Sequence, residues 1–155
     1  MNNELVLRFL AEPTDVNFGG KVHGGAVMKW IDQAGYACAV QWCGGYAVTI
    51  YVGGIRFMQP IRIGTLVELR ARVIYTGRTS MHIAVDVFSK RPELADYTHN
   101  THCIIVFVAV DADGKPTPVQ PYTPATEDGV KLQQYARRLM ELREGIEEEM
   151  RAFLE

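Results

Sequence analysis

The apolar positions of this chain change period along its length, and those changes mark its elements. Glu4 to Leu10 alternates weakly, as a short strand would. Pro13 to Lys21 carries Pro13, Asp15, Asn17, Gly19 and Gly20 and reads as a loop. From Gly24 to about Trp42 the spacing turns helical, with Val27, Ile31, Ala34 and Cys38 recurring on one face. Gly44 and Gly45 stop that helix, as glycine commonly does just past a C-terminus.

From Tyr46 to Asp111 the pattern is that of antiparallel sheet. Ala47 to Phe57 is β-rich, and Gly53-Gly54 within it marks a bulge or a close backbone approach. Leu66 to Tyr75 sets Val67, Leu69, Ala71 and Val73 against Glu68, Arg70 and Arg72. A turn at Thr76 to Thr79 leads into a second alternating run, Met81 to Phe88. Thr101 to Val110 is almost continuously apolar, which predicts a strand buried on both faces. Asp111 to Pro116 has turn chemistry, and a connector with Pro116, Pro118, Pro121 and Pro124 follows. A second helix is predicted from about Thr126 to the end, with Leu132, Tyr135, Leu139, Leu142 and Ile146 as its stripe.

One long helix followed by a meander of long strands is an α+β layout, an antiparallel β-sheet wrapped around a central α-helix. The expected organisation is a single domain over 1–155, with a core of about 5–112 and a C-terminal helix over about 126–154. Such a sheet leaves edge strands open, which predicts pairing across a homodimer.

Composition narrows the function more than the fold. A net charge of −2 gives no electrostatic case for nucleic acid. The apolar runs fall short of the ~18 residues a membrane helix needs, and no basic-then-apolar leader opens the chain. Cys38, Cys43 and Cys103 make neither an even disulfide set nor a metal spacing, so a reducing, cytoplasmic location is expected. There is no dinucleotide or P-loop glycine pattern, and no Ser or Cys at a nucleophile elbow.

The chemistry concentrates between Asn17 and Asp32. Gly24 and Gly25 open the helix without side chains, and its first N–H groups suit a carbonyl oxygen or an anion. Asp32 stands alone among Trp30, Ile31, Ala34 and Gly35, a setting expected to desolvate it and make it a base or nucleophile. It lies two helical turns after Gly25 on the same face, roughly 10 Å along the axis. One helix therefore cannot turn both groups on one reacting carbon, whereas two antiparallel copies can. Donors for an oxyanion, a carboxylate and the Asn17 amide together fit acyl transfer to water.

Pro13 to Gly25, followed by Met28 to Asp32, resembles the signature of the hotdog-fold acyl-CoA thioester hydrolases. Val48-Thr49, Ile55 to Phe57 with Pro60, Gly77 to Met81, and Ile105 to Asp111 agree in order and spacing. The resemblance spans about residues 13 to 111. It implies a hotdog fold and hydrolysis of acyl-CoA to a free acid and coenzyme A, with no metal or redox cofactor. It implies that Asn17 and Asp32 form a catalytic pair drawn from opposite members of a dimer, with Asp32 as base or nucleophile and Asn17 positioning water or the thioester. Gly24 and Gly25 would supply the oxyanion donor. Thr49, Arg78, Thr79 and Ser80 would line the coenzyme A groove, with the Arg78 guanidinium toward a phosphate. Many relatives carry Asp at the position of Gly53, and no role is carried to Gly53. Further association into a hexamer, a trimer of dimers, is expected through the final helix.

Each residue also has a plainer reading. Asp32 is a surface acid, Asn17 a turn former, the glycines a packing device, and Arg78 to Ser80 a polar hairpin. His23 is structural or adjacent to substrate, His82 sits on a strand, and His99 and His102 suggest no metal site. Two other functions share the fold: a non-catalytic acyl-CoA sensor, and hydration of an enoyl thioester, for which His23 is the only nearby imidazole. Pocket depth, and with it acyl-chain length, would depend on Met28, Tyr36, Tyr51 and Met58.

Overall fold

A computed structural model describes residues 2–155. Its elements run β1 (Glu4–Leu10), α1 (Gly24–Cys43), β2 (Tyr46–Phe57), β3 (Leu66–Thr76), β4 (Ser80–Lys90), β5 (Thr98–Val110) and α2 (Glu127–Leu154), with a 3-10 turn at Pro13–Asp15. The five strands form one antiparallel sheet in the order β1-β3-β4-β5-β2, so β1 and β2 are its edges.

The sheet curls around α1. Val27, Trp30, Ile31, Ala34 and Cys38 of the helix are buried against Leu69, Val73, Met81, Ile83, Ile105 and Phe107 of the strands. Gly44, at φ 71°, turns the chain out of the helix and its N–H donates to the Val40 carbonyl at 2.8 Å. The glycine pair thus ends the helix as predicted, and it does so in the left-handed conformation that glycine favours. At Gly35 helix and sheet all but touch. A Cβ there would lie 2.9 Å from Ile105 Cγ2 and 3.0 Å from Phe107 Cε2. Gly35→Val is therefore expected to lower the unfolding free energy by about 1–3 kcal/mol through overpacking. Chemical denaturation measures it, and an unchanged midpoint would mean that the helix is free to ride outward.

The outer face explains why Thr101–Val110 reads as doubly buried. Ile74, Ala84 and Ile104 meet Ala136 of α2, with Leu132, Tyr135 and Leu139 around them. Thr126, expected as the first helical residue, is the N-cap instead, its hydroxyl accepting from the Gly129 N–H at 3.0 Å. The second half of the stripe is less covered, and Leu142 and Ile146 are more than half exposed.

This face also holds polar groups, from buried to partly exposed. Glu68 lies between Arg8 and Arg70, at 2.6 and 2.5 Å. Asp86 Oδ1 takes both His99 Nε2 and His102 Nδ1 at 2.8 Å, and His102 Nε2 meets the Tyr135 hydroxyl at 2.8 Å. Burial acts to raise both carboxyls, but the facing cations and imidazoles hold them below the usual carboxylate range.

His82 differs. Burial first, and the Arg143 charge second, push its pKa down to about 4 from 6.5. Because the folded value lies below the unfolded one, the unfolded chain binds the extra proton between those limits. Stability is whole above about 6.5 and declines as pH falls toward 4. At roughly 1.4 kcal/mol per unit the loss is at most about 3 kcal/mol. Denaturation midpoints measured at pH 7 and 4.5 should differ less in His82→Leu than in the wild type.

Candidate active site

The loop before α1 is held by Asn17. Its Oδ1 accepts from the N–H groups of Gly19 (2.9 Å) and Lys21 (3.2 Å), and its own N–H donates to the Lys21 carbonyl at 2.7 Å. Gly20, at φ 77°, closes the turn. Val22 N–H then donates to Ile61 O, and His23 N–H to Asp15 O, both at 2.9 Å, fixing the entry to the helix. The turn reading of Asn17 is thus correct, and it constrains any second role. With Oδ1 committed twice, only the Nδ2 amide remains, and Asn17 can serve a reacting group only as a donor.

His23 is the N-cap of α1 but offers no side-chain cap. The N–H groups of Gly24 and Gly25 find no acceptor among the described residues. A Cβ on Gly24 would meet nothing nearer than the Phe57 ring at 3.7 Å, and one on Gly25 nothing nearer than His23 Nδ1 at 3.9 Å. Packing within the chain thus does not require either glycine. Asn17 and Gly24 share a groove of about 280 Å³ with Phe57, Met58 and Thr101, and Val27 forms part of its lining. Asn100 fixes one wall. Its carbonyl accepts from the N–H groups of Met58 (2.8 Å) and Gln59 (3.2 Å), and its Nδ2 donates to Pro60 O at 3.1 Å. This residue was not singled out from the sequence; a polar amide heading an apolar strand was the available signal.

Asp32 lies elsewhere. It is exposed rather than desolvated by its apolar neighbours, which corrects the expectation drawn from sequence. The reason is rotational: Trp30, Ile31 and Ala34 turn into the sheet while Asp32 stands on the flank beside edge strand β2. Thr49 Oγ1 donates to Asp32 Oδ1 at 3.0 Å, and no cation among the described residues pairs with the carboxylate. Its Oδ2 is left open.

Within one chain, then, Asn17 and Gly24 form one cluster and Asp32 and Thr49 another. Arg78, Thr79 and Ser80 occupy a third place, the β3–β4 hairpin, where the Arg78 carbonyl accepts from Val119 N–H and the Thr79 carbonyl from Ala109 N–H. Ser80 pairs with Val108 and Val108 with Val48. The hairpin therefore sits at the Thr49 end of the sheet, about 10 Å away across two strand spacings. Of the residues expected to set pocket depth, Met58 lines the groove, Tyr36 packs on Phe107 (ring centroids 6.2 Å), and Tyr51 faces α2 instead.

Residues 19–95 match the family pattern described as the thioesterase superfamily. The chain is similar to protein VdlD of Helicobacter pylori, 34% identical over 90% of this chain and 80% of that one. It is 37% identical to the acyl-CoA thioester hydrolase YciA of Salmonella typhimurium, over 75% of this chain and 90% of that one. Among solved structures, an apo-hexameric acyl-CoA thioesterase superposes with a TM-score of 0.88 at 32% identity, covering 92% and 91% of the two chains.

Proposed function

The chain belongs to the thioesterase superfamily, and from that membership we propose that it hydrolyses acyl-CoA thioesters to a free acid and coenzyme A. The observation that carries the reading is the pair of unused N–H groups at Gly24 and Gly25, with Gly24 and Asn17 in one groove, together with an unpaired carboxylate at Asp32. We further propose that each site is drawn from two copies of the chain, one giving the helix start and the other Asp32. The distance along α1 and the position of Asp32 beside an edge strand support this arrangement. It would also supply the desolvation that a lone chain does not.

In this reading the thioester oxygen sits on the Gly24 and Gly25 N–H groups, where negative charge develops as the carbonyl carbon becomes tetrahedral. Asn17 Nδ2 donates to the same oxygen or to the attacking water. The Thr49 hydroxyl holds Oδ1 of Asp32, leaving Oδ2 for the incoming atom. Either Oδ2 takes a proton from water as the C–O bond forms, or it attacks the carbon itself and water then cleaves the anhydride. In both routes the C–S bond breaks, coenzyme A leaves as thiolate and takes up a proton. Water and these groups complete the balance, with no metal or redox cofactor in the proposal.

Thr49 and the Arg78–Ser80 hairpin would carry the coenzyme A moiety, Arg78 toward a phosphate. A hexamer is proposed by analogy with the hexameric relative, and its construction from three dimers follows from the two-chain site. No described helix is long and apolar enough to cross a membrane. The free cysteines Cys38, Cys43 and Cys103 support a reducing, cytoplasmic setting.

Acetyl-, hexanoyl- and palmitoyl-CoA incubated with the protein and a thiol reagent test the function. Thiol release from at least one of them, above the spontaneous rate, is expected. Saturable binding without release would give the chain to the sensor class.

A further inference from the structure

On the outer face of the sheet, away from the groove at Asn17, lies a cavity of about 170 Å³. The bulge in β2 makes one wall. Gly54 has φ 59°, and the Tyr51 ring lies so close over Gly53 that a Cβ there would fall 2.4 Å from it. The Arg143 guanidinium of α2 stacks on that ring at 4.7 Å. The rest of the lining is mostly aliphatic, from Ile104, Leu139 and Ile146.

Of the two polar groups facing this space, one has no partner and the other has an ion pair but no hydrogen bond. His82 is only 3% exposed and makes no side-chain hydrogen bond among the described residues; its contact is the edge of Tyr75, at 5.0 Å between centroids. Held neutral by burial and by Arg143, it keeps one donor and one acceptor unused. Arg143 Nε is buried without a hydrogen bond. Its ion pair is with Glu147 Oε1, 3.3 Å away on an α2 side chain that is 47% exposed.

We propose that this cavity binds a short-chain monocarboxylate, its anionic head on Arg143 and His82 and its alkyl tail among Ile104, Leu139 and Ile146. One cation beside a neutral imidazole matches a single negative charge, whereas an apolar wall penalises a phosphate dianion. Size sets the class: a dry cavity of about 150 Å³ accommodates benzene, so this one takes an acid of roughly four to six carbons. Such acids are what a thioesterase acting on short acyl-CoA releases, but the site is built independently of that reaction.

Hexanoate titrated into the full-length protein, followed by calorimetry and by the imidazole signals of His82, tests the proposal. One saturable site per chain that moves the His82 signals is expected, undisturbed by coenzyme A. Arg143→Met, which keeps the stem and removes the charge, should weaken binding about tenfold. Glu147→Gln, which removes the competing carboxylate from an exposed position, should strengthen it. Hexanol should not substitute. Absent binding, binding indifferent to both substitutions, displacement by coenzyme A, or binding only by dissociated chains (a neighbouring copy filling the space) would each overturn it.

Discussion

Asp32→Ala is expected to lower kcat for thioester hydrolysis by about 10²–10⁴-fold, the usual worth of a positioned general base. Stability of the single fold should stay within about 0.5 kcal/mol, because within one chain the side chain is exposed and its one bond is to Thr49. Asp32→Asn isolates the charge, since the amide oxygen still accepts from Thr49 Oγ1. It should be as slow as the alanine variant with KM little changed. Steady-state thiol release alongside denaturation decides the matter: hydrolysis that persists at the wild-type rate in both variants removes Asp32 from the chemistry.

Gly25→Pro carries the second large effect. Proline is tolerated in the first helical turn, and a side chain here meets nothing nearer than 3.9 Å, so the variant should fold. It loses one of the two N–H groups proposed to face the oxyanion, and kcat should drop by about 10²–10³-fold. Gly25→Ala, which keeps that N–H, should lose much less, so the pair separates the donor from the glycine. Together the two sites test the two-chain arrangement. A dimer of one Asp32→Ala copy and one Gly25→Pro copy holds one intact site, with Gly25 from the first and Asp32 from the second. Random pairing makes half the dimers mixed, each with one site of two, so about one quarter of wild-type activity should return. No recovery would place both groups of a site on a single chain.

Much of this layout is written in local pattern. The helix from Gly24, its stop at Gly44, the alternation of β3 and β4 and the kink at Gly53-Gly54 each follow from a few neighbouring residues, and the structure has them there. What escaped depends on contacts between distant segments. The exposure of Asp32 is decided by which flank of α1 the sheet covers, and spacing along the helix does not tell. Asp86 binds His99 and His102 because β4 and β5 pair in one register, which no single strand reveals. The stripe of α2 was visible, but not that its first half would cover Ile74, Ala84 and Ile104 while Leu142 and Ile146 stay more than half exposed. Tyr51 looked like part of a substrate pocket until the bulge turned it toward that helix. Asn17 stands between the two cases: its turn was legible, the consumption of its oxygen was not.

Edge strand β2 shows Tyr46, Val48, Ile50 and Val52 to water at 40–70% exposure. Beside that apolar row runs a line of unfilled backbone donors and acceptors, a template for any other extended chain. Dilution below the association threshold would therefore yield a sticky species rather than a well-behaved monomer. Resistance to heat should rise with protein concentration, and recovery after unfolding should be set by how quickly copies find one another before they find debris.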